Sequence, residues 1–190
     1  MKAFFIALCF SSLGISAQDL QSETPSFVIE KKDGTIIEAK NITINFSRKF
    51  VEYVLPNESK LHFFFFDQLK EVNAGMSLLR IYGWRKGYFI KVESDSKILA
   101  TVPLGDYRMV QGVKVFILDK EGKILEEFEV EGGDKKKDIE RRAALKESLK
   151  RNFSDCPKFL GYLSNFDYAT DTSHKQLWNY ICMTQLQDCN

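Results

Sequence analysis

Histidine occurs only at His62 and His174, and no HExxH or CxxC spacing accompanies either, so a zinc site has no visible ligand set. The sequence also has no GxSxG elbow, GxxxxGK[ST] loop or GxGxxG fingerprint, which removes the usual signs of a serine hydrolase and of nucleotide binding. The net charge is +1, too small for a global pull toward nucleic acid or an anionic membrane, although the charge is unevenly spread. No low-complexity linker or repeat of obvious period divides the chain. Long apolar runs are missing after the first residues. Even Leu61 to Phe66 is closed by Asp67, well short of the about 20 residues of a membrane span. No cofactor, metal ligand or catalytic residue is therefore expected.

What is present begins with an address. Met1 to Ala17 reads as a signal peptide: Lys2, the apolar run Ala3 to Phe10, then Ser11 to Gly14, and a small-residue cleavage site at Ile15-Ser16-Ala17 before Gln18. Ser11, Ser12 and Gly14 interrupt the run too early for a transmembrane helix. Cys9 would be the acylated residue of a lipoprotein, but Leu8 precedes it where a small residue is wanted. Cleavage leaves 18–190 as a single secreted domain, long enough to bury its own core. It divides into a β-rich part, 26–130, and a helical part, 134–190.

The β-rich part carries short apolar runs separated by turn residues, the pattern of an antiparallel sheet. Asp33-Gly34 suits a tight hairpin between Ser26–Lys31 and Thr35–Lys40. Ile42, Ile44 and Phe46 alternate with Thr43 and Asn45, as in a half-buried strand. Gly122 suits the bulged turn between Gln111–Leu118 and Ile124–Val130. The fold class is thus α+β: an antiparallel sheet or open barrel of about eight to ten short strands, followed by two C-terminal helices.

Gly132-Gly133 ends the alternation, and a charged helix is expected from Asp134 to about Asn152. Its apolar arc holds Ile139, Ala143, Leu145, Leu149 and Phe153, with Arg142 and Lys146 intruding. Lys158 to Tyr168 reads as a short helix or ordered loop, and a capping box at Ser173 starts a terminal helix over His174 to Gln187. Three cysteines survive cleavage. Cys182 and Cys189 would lie about 10 Å apart on one helix, too far to bridge, so Cys156 pairs with one of them. Cys182 is preferred because it falls inside the terminal helix; three buried thiols are the alternative.

Each remaining motif has a bland reading beside the functional one. A Cys156 thiolate activated by His174, with Asp155 or Asp171 orienting the ring, would make a thiol-dependent hydrolase, yet Cys156 has no local nucleophile signature. Glu127 and Glu129 share one strand face opposite Phe128 and Val130, as on a solvated outer face. Lys135 to Arg151 gives the first helix a basic bias suited to lipid head groups, although the neighbouring acidic strand can compensate it. Phe63 to Phe66 places rings on both faces of one strand, so both faces are expected to be covered, by core packing or by an apolar ligand in a barrel-like cavity. Tyr82, Trp84 and Tyr88, around Gly83 and Gly87, form an aromatic turn able to stack on a sugar ring.

The leader ending Ser16-Ala17-Gln18, the Lys32-Asp33-Gly34-Thr35 hairpin, the Phe-rich strands and the late Asp155-Cys156-Pro157 resemble uncharacterised secreted proteins of the Bacteroidota. The resemblance implies export to the periplasm or cell envelope and supplies no activity or site residue. The expectation is an exported, non-enzymatic binding protein whose partner is an envelope protein, glycan or lipid.

Overall fold

The computed structural model describes residues 27–104, 112–131, 136–165 and 189. The expected leader, the terminal helix from His174, the Asp134 cap and Cys182 lie outside the described residues. Among the described residues eleven strands and two helices follow in order: β1 (Phe27–Lys31), β2 (Ile36–Ala39), β3 (Asn41–Asn45), β4 (Phe50–Val54), β5 (Leu61–Phe65), β6 (Leu69–Ala74), β7 (Ser77–Tyr82), β8 (Lys86–Glu93), β9 (Lys97–Leu104), β10 (Gly112–Asp119), β11 (Ile124–Glu131), α1 (Lys136–Asn152) and α2 (Pro157–Ser164). A short 3-10 turn, Phe66–Gln68, joins β5 to β6. The second described helix is therefore the aromatic stretch whose state the sequence left open.

The strands form two open antiparallel sheets. The larger runs β11-β10-β9-β8-β7-β6-β1-β2 and the smaller β3-β4-β5. Because strand side chains alternate, one register row fixes a face of the large sheet. Ile37, Ile29, Val72, Leu79, Phe89, Thr101, Val115 and Phe128 lie in one such row across all eight strands. The small sheet packs on one part of this face, where Ile29, Val72 and Leu79 meet Val51, Tyr53 and Phe66. The helices pack on the other, where Val115, Ile117 and Val130 meet Leu145, Leu149, Phe153 and Phe159. The chain crosses from the large sheet to the small one at Lys40, whose N–H donates to the Val54 carbonyl. On the opposite face Tyr88, Ile90, Ala100, Phe116 and Leu118 form a third buried cluster, and the β10–β11 turn folds over its rim so that Gly122 lies against the Tyr82 ring.

Helix α1 docks through a narrower apolar stripe than its sequence suggests. Leu145 and Leu149 are buried, but Ala143 is exposed and Arg142 is buried. A carboxylate on the sheet adds a polar anchor beside that stripe. Glu126 lies on the face shared by Phe128 and accepts hydrogen bonds from Ser148 Oγ (2.6 Å), Arg151 (2.8 Å) and Asn152 Nδ2 (2.8 Å). Asn152 in turn accepts from Lys97 Nζ at 2.8 Å. Burial pushes the Glu126 carboxyl up, but the three donors outweigh it and hold its pKa at about 2 instead of the ordinary 4.5. A carboxyl depressed by folding stabilises the fold above its unfolded value and loses that contribution as pH falls through the folded one. The stability gap between the wild type and Glu126→Gln should therefore be widest at neutral pH and shrink from about pH 4.5 toward 2, as thermal melts across that range will read. A gap independent of pH would refute the anchoring role.

Pro157 occupies the first turn of α2, where a missing N–H costs nothing, and Cys156 precedes it as the N-cap residue. Cys156 is bridged to Cys189, with Cα atoms 4.4 Å apart. This corrects the Cys156–Cys182 pairing expected from sequence. One sulfur makes one bridge, and the preference for Cys182 rested on its place in a helix, whereas the bond is decided by which thiol comes within reach of the buried α1–α2 junction.

Candidate functional site

Strand β5 is an edge strand of the small sheet, and its alternation divides its aromatic residues between core and solvent. Phe64 stacks on Tyr53 at 5.2 Å between centroids, and Phe66 meets Phe46 edge-on at 5.8 Å; both face the inter-sheet core. His62 stacks on Tyr53 and bonds to Glu58 at 2.7 Å, an ordinary satisfied sheet residue. The other set points outward. Phe63 is 59% exposed, Leu61 58% and Phe65 39%. The expectation that both faces of this strand are covered is thus wrong for Leu61, Phe63 and Phe65, because the small sheet is itself the outer layer.

These outward rings are organised. Phe63 and Phe65 lie edge to face at 5.5 Å, and Phe50 on β4 contacts both, at 6.3 and 6.4 Å. The β7–β8 turn extends the group. Gly83 (φ 55) and Arg85 (φ 66) are both left-handed, a conformation a non-glycine residue adopts only when its surroundings hold it there. Arg85 is held: it donates to Asp67 at 3.1 Å, and its guanidinium lies 5.4 Å from the Phe65 ring and 4.7 Å from that of Trp84. Trp84 projects from this turn, 72% exposed. The result is an exposed surface of Leu61, Phe63, Phe65 and Trp84 with the Arg85 guanidinium between the last two; Trp and Arg are among the residue types enriched in binding hot spots.

The aromatic turn read from sequence is divided by the fold. Tyr88 is 6% exposed and packs against Phe116 at 5.1 Å, and Tyr82 lies half-buried 6.1 Å from Tyr88 beneath the β10–β11 turn. Of the three, Trp84 alone joins the exposed surface. Cys156 is fully buried and bridged, so the proposed thiol nucleophile has no thiolate to offer; His174 and Asp171 lie outside the described residues. Glu127 and Glu129 are exposed, and Lys114 reaches them at 2.7 and 3.8 Å. Two basic residues of α1 are paired with acids, Arg151 with Glu126 of the sheet (2.8 Å) and Lys150 with Glu147 of the same helix (2.9 Å). Among the described residues no group of three or more His, Cys, Asp or Glu side chains could hold a metal ion, and no helix is long and apolar enough to cross a membrane.

The residues that sequence reasoning missed are Asp67 and Arg85, which lie 18 positions apart and carry no local signal of pairing. No protein-family model, no curated protein and no solved structure matches this chain.

Proposed function

We propose that this chain is an exported, non-enzymatic binding protein of a bacterial cell envelope, of the kind found among uncharacterised secreted Bacteroidota proteins. It engages an envelope protein, glycan or lipid through the surface of Leu61, Phe63, Phe65 and Trp84. The observation that carries this reading is the exposure of those side chains together, on a frame fixed by Arg85 and Asp67. Contiguous exposed apolar surface is costly to leave in water and marks interaction sites. The alternative of an apolar-ligand carrier draws no support from Phe64 and Phe66, whose rings are engaged with Tyr53 and Phe46.

Affinity purification from the native envelope tests the proposal, with wild type compared against a Phe63→Ser, Trp84→Ser double variant. Both positions are exposed, so the variant should stay folded and lose only about 1–2 kcal/mol, from the contacts of Phe63 with Phe50 and Phe65 and of Trp84 with Arg85. It should lose most of the co-purifying protein, glycan or lipid, because truncating a hot-spot aromatic costs about 2 kcal/mol or more of binding. Equal recovery by the two chains would refute this surface.

A further inference from the structure

We infer that the end of the molecule tipped by Trp84 docks on an anionic lipid surface; this rests on the binding reading above and names the occupant of that surface. Four turns are tied together at this end. Lys32 donates its N–H to the Gln68 carbonyl (3.0 Å) and its ammonium to the Gly83 carbonyl (2.8 Å), while the Phe66 N–H donates to the Lys49 carbonyl (2.9 Å). Arg85 of the β7–β8 turn reaches Asp67 of the 3-10 turn. The β1–β2, β3–β4 and β7–β8 turns and the 3-10 turn are thereby held side by side.

The bonds between these turns hold Lys32, Lys49 and Arg85 at one end, with Arg48 and Lys86 next to them in the chain. The acids among them are already engaged: Asp33 with Lys31 at 2.7 Å and Asp67 with Arg85 at 3.1 Å. Positive charge is thus in excess here although the whole chain is nearly neutral. Beside it stand Trp84, Phe65 and Phe63, exposed and apolar. An indole is suited to the boundary between head groups and acyl chains, and each nearby cation is attracted by the negative potential of an anionic leaflet. Charge complementarity separates this occupant from a protein one. Lysine is depleted in protein–protein interfaces, whereas a basic rim around an aromatic anchor matches a plane of phosphates.

Co-sedimentation of the exported chain with vesicles of phosphatidylcholine, with and without phosphatidylglycerol, tests the inference. Binding should require phosphatidylglycerol and weaken as salt is added. Arg48→Ala and Lys86→Ala, at exposed positions, should each weaken it about fivefold, and Trp84→Ala about tenfold or more. Equal partition to both vesicle types, or variants that bind as the wild type does, would overturn it. If vesicles are not bound while the Phe63→Ser, Trp84→Ser chain still loses its envelope partner, the lipid inference fails and the binding surface stands.

Discussion

Gly122→Ala should lower the free energy of unfolding by about 2–4 kcal/mol, several times the cost of the same change at Gly34. The two glycines have nearly the same backbone, φ 82 and φ 84, so left-handed strain is common to both. Their surroundings differ. A Cβ at Gly34 meets nothing within 4 Å, whereas one at Gly122 would fall within the Tyr82 ring. That ring leans on Tyr88, which leans on Phe116, so it has no easy retreat. Gly34→Ala should cost only about 1 kcal/mol, the penalty of the conformation alone. Urea denaturation of both variants checks the comparison. Equal losses would mean that the β10–β11 turn does not press on the buried face of β8 to β10.

Cys189→Ser should cost about 3–4 kcal/mol in the oxidised protein and almost nothing once reductant is added. The bridge joins positions 33 residues apart, and closing a loop of that length removes much freedom from the unfolded chain. Cys189 is the cleaner site to change, because Cys156 is fully buried among Phe153, Phe159 and Leu163, and altering it would also disturb the core. Denaturation curves with and without reductant separate the two contributions. A Cys189→Ser chain as stable as the oxidised wild type would show that the bridge does not hold the α1–α2 junction.

The sheet was legible because its local signals agree. Ile42 and Ile44 alternate with polar neighbours, and Asp33-Gly34 and Gly122 sit at the turns where left-handed backbone is needed. The split into two sheets was not legible, since it happens at Lys40, a single residue between β2 and β3 whose role depends on a bond to Val54. Period-two alternation in Phe63 to Phe66 shows that the strand has two apolar faces but not which face has a layer above it. Only tertiary packing assigns Phe64 and Phe66 to the core. Glu126 did leave a trace: counting by twos from Phe128 places it on the buried face, away from Glu127 and Glu129. A carboxylate on that face needs donors, which Ser148, Arg151 and Asn152 supply from α1. The Arg85–Asp67 frame has no such trace, because its members come from turns that meet only after the sheets fold.

Hydrogen–deuterium exchange on the intact chain, alone and with native envelope, tests most directly whether the outer face of β5 and the Trp84 turn are where this protein binds. Exchange should slow over Leu61–Phe65 and 83–86 when envelope is present, with α1 unchanged. Protection confined to α1, or none at β5, would contradict it.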